Sequence, residues 1–301
     1  MTDDKMATLP AKRGKGVLTE LAKTYPQLYL TPGEAGAEQY KRIVRLGEDA
    51  PVHSLSHFHG HDADSLTIET TPAGSVQVIT LNDRGDFELF LHIMAYRCVP
   101  TAIPPTQGAS ILDGVINWRR IRAHHDAFMK TNVSPAQWPA EFKRFTADKS
   151  NYTDALIVLS VGPYSAIPAE RVGRTESQWL IDSGIIRRFH ECTHFICRRL
   201  FPSQKDAVWD ELVADAVGLY AAYGRYDRKK AELFLGIDGN RYVGGRLENY
   251  VTDGADKTER LNALASRVHR ALERIEKTTA EAGAIDPFEL AVRLESQQKF
   301  W

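Results

Sequence analysis

The chain has 301 residues, 43% of them hydrophobic and 26% charged, with a formal net charge of -1. Such a composition suits a soluble globular protein that buries a sizeable core. The balance of 38 Lys and Arg against 39 Asp and Glu offers no nucleic-acid or anionic-lipid surface, and no apolar run approaches the roughly 20 residues a membrane span needs.

Residues 1–15 are polar, carry Pro and Gly, and read as a flexible tail without the apolar stretch of a secretory signal. The remainder, 16–301, is expected to form a single domain, with 16–65 as a candidate N-terminal subdomain. Apolar spacing predicts helices near 16–24 and 36–47, followed by the histidine-rich stretch VHSLSHFHGHDAD. Strands are expected at 66–70 (LTIET) and 75–81 (SVQVITL), separated by the turn signal TPAG. DFELFLHIMAYRC at 86–98 has helical spacing and is halted by the proline-rich CVPTAIPPTQG. Residues 110–130 and 138–149 read as helices, and the β-branched DALIVLSV at 154–161 as a buried strand ended by GPYSAIP. From 176 onward the pattern is mostly helical, with a glycine-rich break at 236–245 and an amphipathic helix near 257–280. Strands early and helices late predict an α+β fold rather than alternating βαβ units. Cys98, Cys192 and Cys197 are too few for a disulfide framework and fit a reducing cytoplasm.

The chemistry concentrates in SGIIRRFHECTHFICRRLFP. Ile185, Ile186, Phe189, Ile196, Cys197 and Leu200 form a helical stripe, with Ser183 the expected cap and Pro202 the stop. His190 and His194, four apart, project from one face and can bind one tetrahedral metal. Glu191 points about 100° round the axis, poor as a ligand but placed to act on a water. H-E-x-x-H arises by chance in roughly 2% of such chains. A second helical pattern, KDAVWDELVADAVGLYAAYG, places Glu211 and Asp215 four apart on one face, and the pair of motifs together arises by chance in roughly two chains per thousand.

HECTH followed by ELVAD resembles the gluzincin clan of zinc metallopeptidases, over about residues 185–224. The resemblance implies a zincin-like core, with His190, His194 and Glu211 as ligands to Zn2+ and Glu191 as general base. Asp215 would be the carboxylate that orients the first histidine, and a peptide or small amide the substrate. No His-x-x-Gly-x-x-His follows, which excludes the metzincin branch. Clan members commonly place a strand just before the metal helix, and extended substrates add to its edge. DALIVLSVGPY takes that place, or is a plain core strand.

Other residues are weighed against this site. His57, His59, His61, Asp62 and Asp64 in SHFHGHDAD resemble the two-metal loop of metallo-β-lactamase-like hydrolases, with His61 and Asp62 transposed; a packing loop is the alternative. Arg246 and Tyr250 in RYVGGRLENY are candidate oxyanion or substrate contacts. Arg187 and Arg198 fall near the histidine face and would hold a substrate carboxylate or form surface salt bridges. His92 reads as a core histidine, and His124 and His125 as solvated. Taken together these residues predict a cytoplasmic zinc-dependent hydrolase, a metallopeptidase. The alternatives are an amidase or tailoring hydrolase on a small metabolite, and a non-enzymatic zincin-fold binding protein.

Overall fold

The computed structural model describes residues 12–13, 16–131, 134–204 and 206–301. The expected tail lies outside the described residues except for Lys12–Arg13, a two-residue strand β1. The chain is a mixed α+β protein. It divides into two compact units: one holds the chain up to Glu69 with Val76–Pro104 and Ser110–Ser160, the other Thr70–Ser75, Pro105–Ala109 and Val161–Trp301.

The first unit begins with helices α1 (Gly16–Thr24) and α2 (Glu34–Leu46). Strands β2 (Ser65–Thr71) and β3 (Gly74–Leu81) follow, joined by the expected turn, in which Thr71 Oγ1 donates to the carbonyl of Gly74 at 2.7 Å. Helix α3 (Arg84–Met94) starts where Asp83 accepts from the Asp86 amide, and stops earlier than its apolar pattern suggests because Arg97 and Cys98 turn into the left-handed region. Residues 109–116 correct the sequence reading. They form strand β4 (Ala109–Ile116), not the start of a helix. Helix α4 (Trp118–Met129) begins only after Asn117, whose side chain accepts from the amides of Arg119 and Arg120 and so fixes the boundary. Helix α5 (Trp138–Thr146) and strand β5 (Thr153–Ser160) complete the unit.

Among the described residues the sheet has five strands in the order β1-β2-β3-β5-β4. β1 runs antiparallel to β2, and β3 parallel to β5, with Gln77 opposite Leu156 and Leu81 opposite Ser160. Seven of the eight β5 residues are buried, as a strand covered on both faces must be. β5 is therefore an interior strand with neighbours on both sides. The expected substrate-accepting edge before the metal helix is thus not β5; among the described residues the edges are β1 and β4. Tyr25 and Asn117 both donate to Asp154 Oδ2 at 2.7 Å, and Arg120 pairs with Oδ1, tying α1 and α4 to the start of β5.

The second unit is built on helices α6 (Glu176–Leu200) and α7 (Ala207–Tyr223), joined by α8 (Arg228–Leu235), the strand pair β6 (Ile237–Asp238) and β7 (Arg241–Tyr242), α9 (Lys257–Ala282) and α10 (Pro287–Glu295). α6 starts seven residues before the expected Ser183, at a capping box formed by Thr175 and Gln178. Ser183 lies inside the helix and its hydroxyl accepts from the Tyr164 amide at 2.9 Å. Every residue of α7 from Leu212 to Tyr220 is buried, the signature of a helix at the centre of its unit. No helix among the described residues is long and apolar enough to cross a membrane.

The approach of α6 to α7 is set at Gly218. A Cβ there would lie 2.7 Å from the carbonyl oxygen of Ile186 and 3.0 Å from its Cγ2. Helix propensity alone favours Ala over Gly by about 1 kcal/mol. Gly218→Ala is nevertheless expected to destabilise by about 1–3 kcal/mol in urea unfolding, because the nearest atom the added methyl meets is a backbone oxygen that cannot yield as a flexible side chain would. A stabilised Gly218→Ala variant would show that the helices are not in contact there.

Candidate metal centre

Ile186 lies one turn before His190 on α6, and Gly218 lies one turn after Asp215 on α7. The close crossing therefore brings the histidine face of one helix against the carboxylate face of the other. His190 Nε2 and His194 Nε2 are 3.0 Å apart. Glu211 Oε2 is 3.7 Å from the first, and Glu211 Oε1 3.3 Å from the second. One ligand atom from each of the three residues lies within 4.8 Å of the others.

Behind these atoms is a buried hydrogen-bonded layer. Asp215, 1% exposed, takes His190 Nδ1 at 3.0 Å on Oδ1. An anionic carboxylate only accepts, so His190 Nδ1 carries the proton and Nε2 presents its lone pair to the cluster. Tyr164 donates to the same Oδ1 at 2.6 Å, and the Arg246 guanidinium pairs with Oδ2. Burial alone would raise the Asp215 pKa, but the charge of Arg246 and the His190 bond outweigh it and hold the carboxyl below its usual range. Burial likewise opposes ionisation of Glu211, yet the histidines and Arg246 lower its pKa strongly. Burial also opposes a charged His190, and the carboxylates of Glu211 and Asp215 still raise it. The cluster thus draws positive charge to the point where its three ligand atoms meet.

Glu191, next to His190, is half-buried and makes no hydrogen bond or ion pair among the described residues. Cys192 is fully buried and burial pushes its thiol up to about 12, so no thiolate competes with the imidazoles. Arg246 and Tyr250 lie in a 3-10 turn, Arg246–Tyr250, rather than on an α-helix. Arg246 is committed to Asp215, with Glu211 Oε2 3.6 Å away. Tyr250 sits against Glu211; burial, then that charge, raises its phenol, which stays protonated.

Tyr164 is the member of this cluster that the sequence reading missed. It follows β5 in the segment GPYSAIP, which reads only as a strand stop. Its position depends on Arg187, which proves neither a surface nor a substrate-facing group. Arg187 is 6% exposed, donates to the carbonyls of Gly162 and Pro163 at 3.2–3.3 Å, and pins the loop that carries Tyr164. Arg198 is exposed. Ser165 and Ala166 next to Tyr164 both have positive φ, 53° and 55°, so this turn is held in a conformation that L side chains rarely adopt.

The histidine-rich loop of the first unit does not gather its histidines. His57 Nε2 bonds the Leu28 carbonyl at 3.0 Å, and His61 Nδ1 accepts from the Ala63 amide at 3.0 Å. Asp64 accepts from the amides of His61 and Asn82, and Asp62 is exposed. His59 alone groups with carboxylates, those of Asp83 and Asp86, which already cap α3 and hold the amides of His59 and Gly60. The loop is built for packing. His92 Nε2 bonds the Thr101 carbonyl at 2.8 Å, and His124 bonds Glu141 at 2.6 Å while stacking on Phe145, so His124 is not simply solvated.

The fold and the site define a class: an α+β protein with two histidines and a glutamate converging from two helices, backed by a buried aspartate. By sequence the chain belongs to a family of unknown function, DUF7005, which matches residues 6–292. No curated protein and no solved structure matches it.

Removing the hub is expected to cost stability directly. Asp215→Ala leaves His190 and Arg246 without their buried partner and should lose about 3–5 kcal/mol in chemical unfolding. Tyr164→Phe, which removes a single donor, should lose about 1–3 kcal/mol. An Asp215→Ala variant as stable as wild type would contradict the hydrogen-bonded layer.

Proposed function

We propose that this protein is a zinc-dependent hydrolase with a zincin-like core, acting on amide bonds as a metallopeptidase. The observation that carries the reading is the convergence of His190, His194 and Glu211 on one point with Asp215 fixed behind His190. The donor set fits the ion: two imidazole nitrogens and one carboxylate oxygen make a three-ligand zinc site with an open position. His190 Nε2, His194 Nε2 and a Glu211 oxygen would hold it. Zinc bound there supplies Lewis acidity, polarising a carbonyl and acidifying water.

The chain's own residues account for the rest. Asp215 fixes the His190 tautomer and raises its basicity, and Arg246 with Tyr164 keeps Asp215 ionised in a buried setting. Glu191 lies off the ligand face with its carboxylate uncommitted, free to take a proton from water and return it to a leaving amine. Tyr250, held protonated beside Glu211, is a donor suited to a developing oxyanion, whereas Arg246 is spent on Asp215. Three free cysteines support a cytoplasmic location.

Glu191→Gln keeps shape and removes the proton acceptor. Purified variant and wild type should hold equal zinc by elemental analysis. Turnover of a mixed peptide library, read by mass spectrometry, should fall at least about a hundredfold. Equal turnover with zinc present would rule out Glu191 as the base; cleavage of small acyl-amides but of no peptide would move the substrate to a metabolite.

A further inference from the structure

The first unit contains a cavity of about 640 Å³, between one face of α2, the end of α3 and strand β4. That volume lies within the range of small-molecule sites. Its floor includes Gln27, which is 2% exposed. The Gln27 carboxamide has no hydrogen-bond partner among the described residues. The amide opens on the cavity and offers a donor and an acceptor to whatever enters it. The rim is cationic. Lys41, Arg45 and Arg97 line it against a single carboxylate, Asp113. Lys41 is engaged with Glu38, but Arg45 and Arg97 form no ion pair among the described residues.

Arg97 is placed there by an unusual backbone. Arg97 and Cys98 are consecutive non-glycine residues with φ of 57° and 64°. The turn is locked by Cys98 N donating to the His92 carbonyl and Gly33 N to the Cys98 carbonyl, both at 2.8 Å. Such conformations persist where their surroundings over-determine them. The outcome is a guanidinium at the cavity mouth, close enough to Tyr40 for its charge to act on the phenol.

We propose that this cavity is a binding site for a small anionic molecule, a phosphate or carboxylate, whose charge is held by Arg45 and Arg97 and whose polar end bonds Gln27. It is independent of the helix-borne cluster and of the hydrolase reading. Planar guanidiniums suit both anions, so the chemistry is shared and the probes separate the sources. Isothermal titration of the full chain with citrate and, separately, with inorganic phosphate at constant ionic strength should give saturable one-to-one binding of at least one; whichever binds tighter identifies the source. Arg45→Gln with Arg97→Asn should weaken it at least about tenfold; asparagine tolerates the left-handed backbone. Gln27→Leu should weaken binding while leaving the melting temperature of the free protein unchanged or higher, since it removes an unpartnered amide. No saturable binding of either anion, or unchanged affinity in the double variant, overturns the proposal. So does a Gln27→Leu variant with a lower melting temperature and unchanged affinity, which would mean its amide is already satisfied.

Discussion

Helices α6 and α7 approach closely at Gly218, whose absent Cβ leaves room for the Ile186 carbonyl and Cγ2. From this contact the rest of the second unit follows. Helical residues three and four apart share a face, so fixing Ile186 against Gly218 also fixes His190 and His194 against Glu211 and Asp215. Two four-residue spacings, each ordinary alone, become one cluster because the interaxial distance is short. A larger residue at 218 would separate the ligand atoms as well as the helices.

The second constraint is electrostatic. Asp215 is buried with charge on it, a costly arrangement unless the carboxylate is paired and hydrogen-bonded. His190, Tyr164 and Arg246 bond it, each from a different segment: α6, the loop after β5 and the turn after β7. A buried ionic hub of this kind adds little net stability over a well-packed apolar one. Its effect is positional. It selects one tautomer and one rotation of the His190 ring and holds Nε2 towards Glu211 and His194. Arg187, buried against the Gly162 and Pro163 carbonyls, extends this positioning to the loop bearing Tyr164.

Much of this was legible in the sequence where short-range rules apply. The α+β class, the hairpin at TPAG and the buried strand at DALIVLSV followed from periodicity and turn chemistry, and the grouping of His190, His194, Glu211 and Asp215 followed from spacing on two helices together with the resemblance to gluzincins. Long-range partners left no such trace. Tyr164 and Arg187 act through contacts with other segments, and nothing local distinguishes them from a loop tyrosine and a helix-surface arginine. β4 was misread because ASILDGVI lacks strict alternation and runs straight into a genuine helix; Asn117, the true cap, was the overlooked signal. β5 was placed correctly as a buried strand, but its interior position depends on the pairing order, which no single strand encodes. The histidine-rich loop misleads for the opposite reason: composition suggests shared ligands, while the His57 and His61 rings bond different backbone groups and the His59 ring faces Asp83.

The central claim is that the two helices make a nitrogen- and oxygen-donor zinc site from His190, His194 and Glu211. Zinc-edge X-ray absorption on the purified full chain tests it most directly. The expected spectrum shows only nitrogen and oxygen scatterers at about 2.0–2.2 Å, with the outer-shell pattern of two imidazoles, one of which is lost in His194→Ala. A sulfur scatterer near 2.3 Å, an unchanged spectrum in His194→Ala, or a chain that takes up no zinc would contradict it.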